Sequence, residues 1–220
     1  SRNWYIGLKD FLKIFPPDYL RFYLVSINPY SQDDLNFNWD EFATKINSEL
    51  IGNLGNLVNR ALGFTVKSFN SVVPDPEKFD DMDKESEKMI HELASQLSVL
   101  MEENHLDRAL KKILQFSAHF NQYFQHKEPW KNGAGTNSCV FLAVNAVRSL
   151  AIAIYPFLPE SSQKIWVQLG LDGNVSTEMF DEISNITLKQ GHKLGQVSPL
   201  FEKVEESVIE EQKSKLRGTS

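Results

Sequence analysis

The chain has 220 residues, of which 41% are hydrophobic, and its formal net charge is −6. This length and apolar content suffice for a helical domain with a real core, and the acidic balance excludes a generally basic nucleic-acid coat. The single cysteine, Cys139, excludes an internal disulfide framework and favours a reducing, cytoplasmic compartment.

The first half of the chain predicts a short helix, a polar loop and then a long helix. Two prolines at residues 16–17 precede the short helix, and the loop covers residues 28–38. Asn38, with Glu41 three residues later, resembles a capping box and marks the start of the long helix. Apolar residues recur beyond it at helical spacing, at Trp39, Phe42, Ala43, Ile46, Leu50, Leu54, Leu57, Ala61, Leu62 and Val66. The sequence VPDP at residues 73–76 ends this pattern.

The second half predicts four further helices. The first begins near Asp83, and Asn104 separates it from the next, which ends before Pro129 because the residue preceding a proline avoids helical backbone angles. The following helix, from about Ser138, is apolar on nearly all sides and should be the central one. Three residues in or just after it argue against a membrane span, namely Asn145, Arg148 and Pro156. A last short helix covers residues 161–169.

The predicted fold class is all-α, an antiparallel bundle of four to five helices, because no segment shows convincing strand alternation. We divide the chain into a connector at residues 1–37, a helical bundle at 38–171 and a C-terminal return segment with a charged tail at 172–220. The tail, from residue 202, is expected to be solvated and partly disordered.

Catalytic motifs are absent from this sequence. It contains no P-loop and no Gly-x-Gly-x-x-Gly. Its five histidines lack the spacing of metal ligands, and the Glu-x-x-His at residues 102–105 lacks the second copy that a di-iron bundle requires. Cys139 lies in an apolar run and is expected to pack in the core. We therefore predict no catalytic residue and no metal site in this chain.

A row of polar residues on the long helix is the first candidate functional feature. Asn56 and Arg60 are neighbours on one edge of the apolar stripe, close to Asn53. Three glycines lie nearby, at Gly52, Gly55 and Gly63. Glycine costs about 1 kcal/mol relative to alanine inside a helix, so these positions indicate close packing or the close approach of a ligand backbone. The row is either a solvated polar edge or a set of donors for unstacked bases.

The second candidate feature is the sequence KEPWK at residues 127–131. Pro129 places Trp130 at a corner past a helix end, with Lys127 and Lys131 on either side. The indole either folds back to cap the bundle or forms a platform for a splayed-out base, with the two lysines near the phosphates. Such stacking is worth about 1–3 kcal/mol per base.

Four motifs, in this order along the chain, resemble the C-terminal anticodon-binding domain of the methionyl-tRNA synthetases. They are PPDYLRFYL at 16–24, NLVNRALGF at 56–64, NQYFQHKEPW at 121–130, and GHKLG with PLF at 191–195 and 199–201. The resemblance spans nearly the whole chain. It implies that Asn56 and Arg60 contact anticodon bases and that Trp130 stacks on the first anticodon base, a cytosine.

Further RNA contacts follow from the same resemblance. Some members of the family carry a polar residue at the position of Gly52, so in this chain that contact is either missing or made by Asn53. The remaining accessory candidates are Pro129, Lys127 and Lys131, which flank Trp130.

The resemblance also implies what would lie outside this chain. The first three residues, Ser1-Arg2-Asn3, are similar to the end of the family's Lys-Met-Ser-Lys-Ser loop, so we expect the chain to begin at a cut end after the catalytic domain. The full protein would ligate methionine to methionine tRNA, with ATP, and zinc as a further candidate, bound in the catalytic domain. This chain would bind no cofactor and would not activate methionine. Its partners would be the anticodon loop and the catalytic domain, with no membrane and no DNA.

Three other assignments fit the residues alone. The chain could be the same domain of another class I synthetase, such as a leucine or cysteine enzyme, although the Pro129-Trp130 pair argues against that. A helical protein-interaction module would show a large exposed apolar patch and no dependence on RNA. A metal-dependent bundle enzyme would contain bound metal, which elemental analysis would detect.

Overall fold

The computed structural model describes residues 7–27 and 37–217. Its α-helices are α1 (Leu8–Phe11), α2 (Pro17–Ile27), α3 (Trp39–Lys45), α4 (Asn56–Phe69), α5 (Asp81–Glu102), α6 (Leu106–Lys127), α7 (Thr136–Ile154), α8 (Pro159–Gln168) and α9 (Glu206–Arg217). A π-helical segment joins α3 to α4, and 3₁₀ turns occupy Pro129–Lys131, Val175–Thr177 and Phe180–Ser184. The loop resemblance at residues 1–3 and most of the predicted polar loop, residues 28–36, lie outside the described residues.

The predicted all-α class is confirmed. Within the described ranges the backbone forms no strand, only one isolated antiparallel bridge between Val72 and Lys193. The predicted segments are helical, and two of the predicted helix starts lie two residues from the observed ones. The helix expected near Asp83 begins at Asp81, and the one expected from Ser138 begins at Thr136.

α7 is the central helix, as its sequence predicts. All its residues except Asn137 are buried, and it contacts α4, α5, α6 and α8. α7 is long and apolar enough to cross a membrane, but 94% of its most apolar 18-residue stretch is buried inside the protein. Its one basic residue, Arg148, is also buried and lies 3.3 Å from the carboxylate of Glu182. These contacts are those of the core helix of a bundle.

The predicted cap of α3 is half confirmed. The Asn38 side-chain oxygen accepts the backbone N–H groups of Asp40 and Glu41 at 2.9 and 3.0 Å. The reciprocal hydrogen bond, from the Asn38 N–H to the Glu41 carboxylate, is not made. Instead the Asn38 N–H donates to the Tyr23 hydroxyl oxygen at 3.1 Å, and that hydroxyl lies 3.1 Å from the Glu41 carboxylate. Tyr23 therefore inserts into the capping box and ties α2 to the start of α3.

The long helix predicted from Asn38 is not a single α-helix. Ile46–Gly55 has the wider π geometry, in which each N–H bonds to the carbonyl five residues earlier. The apolar pattern does not reveal this widening, because Ile46, Leu50 and Leu54 recur every four residues and are fully buried. Residues spaced by four lie on the same side of an α-helix and of a π-helix, so the pattern fits both.

The return segment explains one of the helix glycines. A Cβ on Gly55 would lie 2.9 Å from the ring of Phe201, so this position needs glycine for close packing. A Cβ on Gly63, in contrast, would meet no other part of the described chain within 4 Å beyond the adjoining backbone of its own helix. Phe201 belongs to the PLF motif, which therefore packs against the helix that carries the candidate polar row.

Most described residues of the tail are exposed, as expected, but Glu206–Arg217 form the helix α9, which is docked along one side. α9 packs against α3, and Ile209 is buried. Lys213 bonds to Asp40 of α3 at 2.9 Å. The charge-rich composition hid this docking, because one buried isoleucine and one ion pair are too few to produce a periodic apolar stripe.

Candidate nucleic-acid interface

Asn56 is held by a chain of amides between α4 and α6. Its Nδ2 donates to the Asn121 side-chain oxygen at 2.7 Å. Asn121 Nδ2 in turn donates to the carbonyl and side-chain oxygens of Asn53, at 2.9 and 3.2 Å. Asn53 Nδ2 donates to the Leu114 carbonyl at 2.8 Å. Asn53 is thus engaged inside the protein, whereas Asn56 Oδ1 accepts no hydrogen bond from the described residues.

Arg60 lies one turn beyond Asn56, between two aromatic rings. Its guanidinium carbon is 5.2 Å from the centroid of Phe124 and 5.8 Å from that of Trp130. Nη2 donates to the Gln125 side-chain oxygen at 3.0 Å, and Nη1 to the Asn121 carbonyl at 3.4 Å. Because a guanidinium carries five N–H donors in one plane, several stay open within the described surroundings for a ligand.

Trp130 lies in the 3₁₀ turn Pro129–Lys131, just past the end of α6. Pro129 is buried, so the turn is anchored, but the indole keeps 43% of its surface exposed. The structure therefore does not bury the indole as a cap of the bundle. One part of its surface lies beside Arg60, and a large part is open.

The two sequence features form one surface. Arg60 joins them, because it is a helical neighbour of Asn56 and lies beside the Trp130 ring. An open amide oxygen, a fixed guanidinium and an exposed aromatic ring are the groups that recognise unstacked bases, by hydrogen bonds to their edges and by stacking on their faces. None of these three groups is a general acid, a general base or a nucleophile at neutral pH.

Lys127 does not present its ammonium to an approaching phosphate. Its Nζ lies 2.6 Å from Asp83 and 2.7 Å from Asp80, and its side chain is 10% exposed. Lys131 is exposed and pairs with Glu128 at 2.6 Å. Of the two lysines beside Trp130, only Lys131 has a largely exposed side chain.

Two residues of α6 were not singled out from the sequence. Asn121 orients Asn56, and Gln125 orients Arg60. Their spacing of four residues repeats the spacing of Asn56 and Arg60, which is the signal that could have paired the two helix edges.

A metal centre is not among the features of this surface. Residues 7–27 and 37–217 contain no group of three or more His, Cys, Asp or Glu side chains placed to hold a metal. Burial raises the pKa of the Cys139 thiol to about 12, so the group stays protonated at neutral pH.

The helical arrangement also occurs in solved structures of a methionyl-tRNA synthetase. The crystal structure of the apo form of Mycobacterium tuberculosis methionyl-tRNA synthetase aligns with a TM-score of 0.82, over 91% of this chain and 41% of that one, at 23% identity. Its complex with methionyl-adenylate aligns equally well, at 24% identity over 89% of this chain and 39% of that one. Structural similarity at such low sequence identity shows the fold alone.

Sequence matches give the family. Residues 73–220 match the family described as the anticodon binding domain of methionyl tRNA ligase, and residues 1–62 match class I tRNA synthetases (M). The chain belongs to the methionyl-tRNA ligase family, as its anticodon-binding part. These matches confirm the resemblance to the methionyl-tRNA synthetases. They favour that family over a leucine or cysteine enzyme and over a protein-interaction module.

Individual relatives agree with the family. The methionine–tRNA ligase of Pyrococcus horikoshii is 38% identical over 95% of this chain and 28% of its own length. The cytoplasmic methionine–tRNA ligase of Caenorhabditis elegans is 39% identical over 93% of this chain and 22% of its own length. The chain thus spans less than a third of the length of these two relatives.

Proposed function

We propose that this chain recognises the anticodon loop of methionine tRNA through Asn56, Arg60 and Trp130. The observation that carries the proposal is the convergence of Arg60 on an indole that is 43% exposed, 5.8 Å from its ring centroid. Family membership supports it, because Trp130 lies in the stretch that matches the methionyl anticodon-binding domain, and Arg60, from the stretch that matches class I synthetases (M), lies beside its ring.

Recognition would follow from the chemistry of the three groups. The first anticodon base, a cytosine, stacks on the open part of the Trp130 surface. The exocyclic amino group of the cytosine donates a hydrogen bond to Asn56 Oδ1, and its acceptor atoms accept hydrogen bonds from N–H groups of Arg60. A uracil has a carbonyl oxygen where cytosine has the amino group. It would leave the Asn56 acceptor without a donor, which costs about 1–3 kcal/mol in a desolvated interface.

The full protein, in this proposal, is a cytoplasmic methionine–tRNA ligase that uses ATP. The chain described here would supply binding and no catalytic residue, while ATP, and zinc as a further candidate, would bind in the catalytic domain. Contacts at the anticodon would help to place the distant acceptor end in that domain. The same proposal divides the chain into connector, bundle and return segment at residues 37/38 and 171/172. It also assigns Lys131 as an accessory phosphate contact.

Affinity for two RNAs tests the proposed function. The full natural protein is titrated with methionine tRNA and with a copy whose first anticodon base is uridine. The lost hydrogen bond predicts a dissociation constant about tenfold higher for the copy. A copy with one acceptor-stem base pair inverted controls for refolding of the RNA. Equal affinity for the first two RNAs would contradict the proposal.

A further inference from the structure

Lys127 is the last residue of α6, and its ammonium joins α6 to the start of α5. It lies 2.6 Å from Asp83 Oδ1 and 2.7 Å from Asp80 Oδ2. Tyr123, one turn earlier on α6, donates its hydroxyl to the same Asp83 oxygen at 2.7 Å. We call Asp80, Asp83, Tyr123 and Lys127 the Lys127 clamp.

The two aspartates of the clamp also fix each other. The Asp83 N–H donates to the Asp80 side chain at 2.9 Å, and the Asp80 N–H donates to the Asp83 side chain at 3.0 Å. This reciprocal capping box begins α5. Asp83 is 1% exposed, so Lys127 and Tyr123 provide the partners that a buried carboxylate requires.

The clamp holds the helix end from which Trp130 projects. Only Glu128 and Pro129 separate Lys127 from Trp130, and Glu128 has a φ of +43°. A left-handed conformation is costly for a residue with a side chain, and it persists only where its surroundings hold it. Pro129 has a fixed φ and is buried. The backbone between the ammonium and the indole therefore has little freedom.

The loop after Trp130 returns to the same ammonium. A Cβ on Gly135 would lie 3.3 Å from Lys127 Nζ, and Gly135 has a φ of +82°. The Gly135 N–H donates to the carboxylate of Glu77, close to the start of α7. The Lys127 ammonium thus lies close to Gly135, five residues after Trp130.

We propose that Lys127 is a positioning residue for Trp130, which acts through the Lys127 clamp and not through contact with RNA. Burial alone would lower the pKa of Lys127, but the hydrogen bonds and charges of Asp80 and Asp83 raise it, so the ammonium stays charged at neutral pH. Only the consequence for base discrimination rests on the proposed function. The effect on Trp130 itself is measured without RNA.

The first arm of the test observes Trp130 by ¹⁹F NMR in the full protein labelled with 5-fluorotryptophan. Its signal is assigned by its loss in Trp130→Phe. Lys127→Met and Asp83→Asn should both shift or broaden this signal. Lys111→Met is the matched control, because it removes the same charge from an exposed position of α6, 16 residues before Lys127, and should leave the signal unchanged.

A milder variant covers the case in which Asp83→Asn does not fold. Asp80 is largely exposed, and asparagine caps helices as well as aspartate does. Asp80→Asn therefore keeps the cap of α5 and removes one ion pair, and it should shift the Trp130 signal in the same direction by a smaller amount. An unchanged Trp130 signal in Lys127→Met together with Asp80→Asn would overturn the proposal.

The second arm compares affinities for methionine tRNA and its first-base variant. Positioning predicts that Lys127→Met and Asp83→Asn lose discrimination alike, by about fivefold or more. A phosphate contact predicts instead that Lys127→Met weakens both RNAs equally, whereas Asp83→Asn, which removes one of the two carboxylates that hold the ammonium, binds as well as or better than wild type. That second pattern would overturn the proposal. If Trp130→Ala leaves discrimination intact, the proposed function fails, while the NMR result still decides the role of Lys127.

Discussion

Arg60 is the residue on which the proposed interface depends most. Its guanidinium lies beside the Phe124 and Trp130 rings, at 5.2 and 5.8 Å, and donates in its plane to Gln125. A lysine would keep the charge, but a compact ammonium cannot stack on two rings and donate in one plane. The shape of the Arg60 side chain, as well as its charge, should therefore matter.

Arg60→Lys should weaken the binding of methionine tRNA by about tenfold, or about 1.4 kcal/mol, because the stacked and forked geometry is lost. The measurement is a tRNA titration at one fixed salt concentration. Arg108→Lys, at an exposed position in the first turn of α6, is the matched control and should bind within about twofold of wild type. Wild-type affinity in Arg60→Lys would show that the charge alone suffices.

The local part of the site could be predicted from the sequence. The spacing of four places Asn56 and Arg60 on one helix edge, and the proline places Trp130 at a corner. The role of Lys127 could not be predicted, because its partners Asp80 and Asp83 lie more than forty residues away along the chain. A lysine three residues before a tryptophan fits a phosphate contact and an internal ion pair equally well.

At the scale of elements, α4 and the π segment before it form the scaffold of the polar row. Gly55 and Gly63 lie eight residues apart in this scaffold, but their surroundings differ. A Cβ at Gly55 would lie 2.9 Å from Phe201, whereas a Cβ at Gly63 would have no described atom within 4 Å apart from its chain neighbours and the adjoining helix backbone. The same substitution should therefore have opposite effects at the two positions.

Gly55→Ala should lower the free energy of unfolding by about 1–3 kcal/mol, because the methyl group displaces the Phe201 ring from its packed position. Gly63→Ala should raise it by about 0.4–1 kcal/mol, because alanine is the better helix former and meets no obstacle. Urea denaturation of both variants checks this. A stabilised Gly55→Ala would mean that Phe201 does not pack as described.

Element types were predictable where a local signal exists. Asn38 and Pro129 mark helix ends by chemistry that acts within a few residues. The π geometry of Ile46–Gly55 has no such signal, because residues spaced by four stay buried in an α-helix and in a π-helix alike. The docking of α9 was also missed, because it depends on contacts with α3, far away in the sequence.

At the scale of the whole molecule, buried Arg148 ties the return segment to the central helix. Its Nη1 donates to the carbonyls of Glu182 and Asn185 at 2.8 and 3.2 Å, and its Nη2 lies 3.3 Å from the Glu182 carboxylate. Its guanidinium carbon is also 5.8 Å from the Trp166 ring of α8. One charged side chain thus joins three parts of the protein.

Arg148→Met should lower the free energy of unfolding by about 2–4 kcal/mol, because the two carbonyls and the carboxylate lose their donor at a buried site. The expected value lies at the lower end of that range, because Glu182 is partly exposed. Lys164→Met, an exposed change on α8, is the control and should stay within about 0.5 kcal/mol of wild type. An equal loss in both variants would contradict the anchoring role.

The central claim is that Trp130, with Asn56 and Arg60, selects the first anticodon base. It is tested most directly by the ratio of affinities for methionine tRNA and its first-base uridine variant, in wild type and in Trp130→Ala at the same salt concentration. We predict a ratio of about tenfold in wild type that falls towards one in Trp130→Ala, because an unstacked base no longer meets Asn56 and Arg60 in register. A ratio that stays at its wild-type value in Trp130→Ala would contradict the account.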